Sequence, residues 1–106
     1  MRGDVYRLKA PRDVKGHEQH GRRLCVVVQS DDLPLSTWFV APTSTSARAA
    51  SFRPAIDVEG QETLVLVEQT TAVDPERLGN RVGRLSNAAL QDVDAALRTV
   101  LDLDRP

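Results

Sequence analysis

The stretch Gly16-His17-Glu18-Gln19-His20-Gly21-Arg22-Arg23-Leu24-Cys25-Val26-Val27-Val28-Gln29-Ser30 decides how the rest of the chain is read. Its first half is polar and bounded by glycines, and its second half holds the most apolar strand candidate in the sequence. An unbroken apolar run such as Leu24 to Val28 fits a strand buried on both faces, and the central strand is expected from Arg23 to Ser30. A buried strand fixes whatever stands at its mouth, so Arg23 and the preceding loop are expected on a rigid support. Binding and catalytic residues concentrate in such places.

Before this stretch, Gly3 to Lys9 alternates Val5, Arg7 and Lys9 against Tyr6 and Leu8, which predicts a strand with one wet face. Ala10-Pro11 ends it, and residues 12–22 form a long loop of the kind that is usually functional when ordered. After the stretch, Asp31-Asp32-Leu33-Pro34 marks a turn, and Thr37 to Ala41 is a β-rich run stopped by Pro42. A hydroxyl-rich loop, residues 43–51, follows. Phe52 to Val58 resumes the alternation, with Pro54 pointing to a sheet edge. Glu59 to Glu62 reads as a hairpin connection into a strand over Thr63 to Glu68. Pro75 to Leu78 reads as a turn that can be helical, and Arg81 to Leu85 as a short strand. Ser86 is a good N-cap, and Leu90, Val93, Leu97, Val100 and Leu101 recur at helical spacing, predicting one amphipathic helix over 87–102. Several short strands with one closing helix define a mainly β, α+β architecture, a small antiparallel barrel or curled sheet.

A chain of 106 residues, 41% hydrophobic and 27% charged, is expected to fold as one globular domain over 1–106 and not as a disordered polymer. No apolar run approaches the ~20 residues of a membrane span, and no apolar leader opens the sequence, so the expectation is a cytoplasmic protein without a membrane partner. Cys25 lies within the apolar run and reads as a small buried hydrophobe. His17 and His20 have no cysteine or third histidine beside them, so neither a metal site nor any other cofactor is expected. The net charge of −1 hides an asymmetry: residues 1–23 carry seven Lys/Arg against three acids, and the remainder sums to −5. The cationic end is either a polyanion surface or simply a solvated loop.

Placed in order, these segments resemble the MazF/PemK family of toxin endoribonucleases. The resemblance is carried by Arg2-Gly3-Asp4-Val5-Tyr6, by Gly16-His17-Glu18-Gln19 with Gly21 and Arg23, and by the valine strand ending Gln29-Ser30. Pro42-Thr43-Ser44, Val67-Glu68-Gln69, Arg77-Leu78-Gly79 and Val82-Gly83-Arg84-Leu85-Ser86 continue it, and Leu101-Asp102-Leu103 closes it. No piece is specific alone; their ordered combination is. The resemblance implies an SH3-like barrel, a homodimer and metal-independent, sequence-specific cleavage of single-stranded RNA. It also implies a cognate antitoxin whose extended acidic tail covers the RNA site. The family's catalytic arginine and threonine fall on Arg23 and Thr43, with Ser44 or Thr45 in the threonine's place if the loop slips. Glu18 and His17 match positions that assist in some members, and Gln19, Glu68 and Gln69 join them as RNA-binding or assisting candidates. Leu24 replaces the family's proline after the arginine, and Leu66 and Thr71 replace arginines. Gyrase-poison relatives share the barrel without cutting RNA, so a protein-binding poison is the alternative.

Metal-free RNA cleavage uses the ribose 2′-OH as nucleophile, so the protein must align the attack and stabilise charge on the phosphoryl oxygens. Arginine presents a planar fork to phosphate and is a poor base, which assigns Arg23 to clamping. Thr43 is expected to donate a hydrogen bond to the same phosphate. His17 has the intrinsic pKa to move a proton near neutrality, and Glu18 and Glu68 are the carboxylate candidates. Gln19 and Gln69 read as amides that contact bases or fix loops.

Overall fold

A computed structural model of the chain describes residues 1–9 and 23–105. The strands are β1 (Asp4–Leu8), β2 (Leu24–Val27), β3 (Trp38–Ser44), β4 (Ala55–Val58), β5 (Gln61–Val65), β6 (Thr71–Val73) and β7 (Leu78–Arg84). One helix, α1 (Asn87–Leu101), follows them. The sheet runs β4-β5-β3-β2-β1-β7, every pair antiparallel, with β6 adding to β3 beside β5. This is a curled antiparallel sheet with one closing helix, the mainly β architecture expected.

The apolar run becomes the middle of the sheet because its alternate side chains feed two cores. Leu24 and Val26 enter the larger core, with Val5, Ile56, Val58, Val65 and the helix residues Val93 and Ala96. Cys25 and Val27 enter a smaller one with Val40 and Leu78, against which Tyr6, Leu8 and Trp38 pack. All four residues of β2 are buried. The second core also corrects the reading of β1, whose Tyr6 and Leu8 are covered on the face opposite Val5.

β3 does not stop at Pro42; it continues to Ser44. The missing N–H costs no ladder bond here because the proline falls where β3 changes partners. Trp38–Val40 pair with β6 and Thr43–Ser44 with β5, while the Pro42 carbonyl accepts from the Leu66 N–H. The hydroxyl-rich loop therefore begins at Thr45. The strand expected over Thr63 to Glu68 also ends early, at Val65, and Val67–Gln69 form a 3-10 turn. β4 is an edge strand, as Pro54 predicts. Its hairpin to β5 has a two-residue loop, Glu59-Gly60, with φ of +54° and +79°, the primed-turn geometry that matches strand twist. β7 starts three residues before the expected Arg81.

Ser86 caps α1 by accepting from the Ala89 N–H at 3.1 Å. Val93 and Ala96 are fully packed, with Leu90 and Leu97 partly so. Val100 and Leu101, expected on the same stripe, are 38% and 59% exposed.

Candidate active site

β2, the end of β3 and the β4–β5 hairpin meet at one end of the sheet. Arg23 directly precedes β2 and is exposed, and its carbonyl accepts the Leu8 N–H at 2.7 Å. The backbone beneath the guanidinium is thus stitched to β1. Thr43 sits at the same end of the neighbouring strand, where its Oγ1 donates to the Leu24 carbonyl at 3.1 Å. Within this structure the hydroxyl hydrogen is spent on that bond. Donation to a phosphate requires it to exchange this bond.

A cleft of about 330 Å³ opens here, lined by Leu24, Thr43, Ser44 and Thr45 from one side and by Val58, Glu59, Gln61 and Thr63 from the hairpin. The three hydroxyls among which the sequence does not choose all reach it, and their roles differ. Ser44 Oγ accepts from the Ser46 and Ala47 N–H groups at 3.1 and 2.9 Å, fixing the turn out of β3. Thr45 is exposed and makes no hydrogen bond among the described residues. Glu59 Oε2 lies 3.4 Å from Arg7 Nη2, placing an ion pair at the rim.

Thr63 is the residue the sequence reading missed. It is only 5% exposed, and its Oγ1 has no hydrogen-bond partner among the described residues. An unsatisfied buried hydroxyl costs about 1–3 kcal/mol. The available signal was alternation: Thr63 and Val65 are the buried members of one row of β5, and Thr63 is the polar one of the two.

Glu68 does not line the cleft. On its 3-10 turn it is held by Arg53, whose Nη2 and Nε reach Glu68 Oε2 at 2.6 and 3.0 Å. Burial raises the Glu68 carboxyl, but the hydrogen bonds and charge of Arg53, with a bond from its own backbone, outweigh it and hold the group below its ordinary value. Arg53 also donates to the Arg48 carbonyl at 2.9 Å, so the pair ties the loop after β3 to the turn before β6. Gln69 is exposed on the same turn. His17, Glu18 and Gln19 lie outside the described residues. At the start of β1, Asp4 is buried and gathers the Met1 amino group at 3.2 Å, Arg84 at 3.0 Å and Arg81 at 3.2 Å.

A curled antiparallel sheet closed by a C-terminal helix defines a class of small, mainly β folds. The family model described as PemK-like, MazF-like toxin of type II toxin-antitoxin system matches residues 1–101, and the chain belongs to that family. A candidate toxin of Mycobacterium tuberculosis, Rv3098A, is 38% identical over 104 residues, spanning 97% of this chain and 98% of its own. Among solved structures, an endoribonuclease in complex with its cognate antitoxin from a mycobacterial species superposes with a TM-score of 0.78 at 19% identity, covering 100% of this chain and 98% of its own. The Mycobacterium tuberculosis toxin MazF-mt6 gives 0.78 at 18% identity, covering 96% and 99%. These two likenesses show the fold.

Proposed function

We propose that residues 1–106 act as one toxin domain that cuts single-stranded RNA at specific sequences without a metal. The observation that carries the reading is the strand mouth that Arg23 and Thr43 share: Arg23 is exposed on backbone bonded to β1, and the Thr43 hydroxyl is tied to the next residue, Leu24, at 3.1 Å. In this mechanism the ribose 2′ oxygen attacks the adjacent phosphorus and the P–O5′ bond breaks. The 2′-OH proton passes to a base, and O5′ takes up a proton as it leaves. The products are a 2′,3′-cyclic phosphate and a 5′-OH. Arg23 clamps the non-bridging oxygens, where two charge-assisted hydrogen bonds favour the extra transition-state charge. Thr43 holds the phosphate in register. His17 or Glu18 supplies the base, and Ser44, Thr45, Gln19, Glu68 and Gln69 shape the surface around the strand. The protein works in the cytoplasm as a homodimer, paired with an antitoxin whose extended acidic tail neutralises the cationic site.

The test is a long mixed-sequence single-stranded RNA incubated with the protein in EDTA, every new end and its phosphate being mapped. Discrete cuts with 2′,3′-cyclic phosphate ends, reduced at least 100-fold by Arg23→Ala, are expected from the size of a lost charge-stabilising donor, about 10²–10³ in rate. DNA of the same sequence stays intact. Uncut RNA with folded protein would replace this reading with a protein-binding poison on the same barrel.

A further inference from the structure

We infer that the cleft under the β4–β5 hairpin is a nucleobase subsite that accepts one unstacked, amino-bearing base of the RNA strand and rejects uracil. The inference rests on the RNA reading above for the nature of its ligand, and Thr63 carries it. That side chain is 95% buried, lines the cleft and leaves Oγ1 without a partner among the described residues. In the same inward rows stand Ile56, Val58 and Val65, any of which shows what an apolar residue would do at such a place. A hydroxyl there loses hydration and gains nothing from the fold, so its partner is expected from outside.

The other walls fit one base. About 330 Å³ is at the small end of the ~300–1,000 Å³ range of small-molecule sites. Leu24 and Val58 offer apolar surface to a ring face, and single-stranded RNA is read by bases splayed into such sites. The polar lining favours acceptors. Glu59 sets a carboxylate at the rim beside Arg7. Gln61 and Thr63 can donate or accept. An exocyclic amino group meets those acceptors with donors; uracil meets them with two carbonyl oxygens flanking one N–H.

The experiment measures binding of the full chain to ten-nucleotide 2′-O-methyl RNAs, which lack the attacking hydroxyl: oligocytidylate, oligoadenylate, alternating guanylate-uridylate, and oligouridylate. At least one amino-bearing oligomer is expected to bind tenfold or more tighter than oligouridylate. Thr63→Val should bring that ratio to within threefold of one while melting no lower than the parent, and Thr63→Ser should retain it. Equal or tighter binding of oligouridylate, no binding of any oligomer, or a ratio unmoved by Thr63→Val would overturn the subsite. Cleavage of mixed RNA by the unsubstituted protein is scored separately. Cuts without a Thr63-dependent ratio sink the subsite alone, and a Thr63-dependent ratio without cuts sinks the nuclease alone.

Discussion

At the scale of single residues, buried polar groups split into those the fold satisfies and those it does not. Asp4 belongs to the first kind. Burial pushes its carboxyl up, but hydrogen bonds from the Met1 amino group, Arg84 and Arg81 outweigh burial and hold it below the ordinary value. A carboxyl whose pKa is lower in the folded state stabilises the fold fully above its unfolded pKa, and that contribution fades as pH falls through the folded value. Acid titration of stability should therefore flatten below pH ~4 in Asp4→Asn relative to the parent. At neutral pH the substitution should cost about 1–3 kcal/mol in urea unfolding, the range for hydrogen bonds to charged groups. Cys25 is fully buried with its thiol pushed up to about 11, mainly by burial. It should ignore a thiol reagent at pH 8 in the native protein and react fully in denaturant. Rapid labelling without denaturant would mean that β2 opens far more easily than its packing indicates.

At the scale of elements, what the sequence made legible is what local pattern controls. The run Leu24 to Val28 announced a doubly buried strand, which β2 realises over Leu24–Val27, one residue inside the expected start at Arg23 and three short of the expected end at Ser30, and Ser86 announced the start of α1. Pairings between distant segments left no such mark. Pro42 looks like a stop because the change of partner from β6 to β5 that accommodates it cannot be seen in one strand. Leu66-Val67 continues an apolar run, yet the chain turns there, so Glu68 was read as a strand end. Its partner Arg53 stands 15 residues earlier, beyond any local motif. For the candidate site, family resemblance points to Arg23 and Thr43, which remain a proposal, whereas Thr63 is visible only once the hairpin places it at the cleft. The Arg53–Glu68 pair yields an element-scale expectation. Arg53→Ala removes the fork that joins two loops and strands a half-buried carboxylate, so it should lower stability by more than the ~1 kcal/mol expected for Ser86→Ala. A double-mutant cycle with Glu68→Gln should show coupling above ~0.5 kcal/mol in chemical unfolding. Additive effects would show that the loop is held by something other than this pair.

At the scale of the whole molecule, charge is distributed against its own sum. Residues 1–23 carry a net +4 within a chain of −1, so the N-terminal part of the sequence favours RNA and the remainder disfavours it. Four excess cations suggest about four phosphate contacts per chain, and each contact on a single strand contributes roughly −0.7 to the slope of log affinity against log salt. One chain acting alone should therefore give a slope near −3, and two chains lining one groove should give a slope near −6. Affinity for a 2′-O-methyl RNA at 50 to 300 mM salt separates the two, provided sedimentation fixes the oligomeric state over the same range. A dimer with a slope near −6 would place both cationic ends on one RNA. A dimer with a slope near −3 would mean that each chain holds its own strand, and a monomer would remove the homodimer from the proposed function. A slope near zero would show that the N-terminal excess is a solvated loop and that base contacts, not phosphates, carry the affinity.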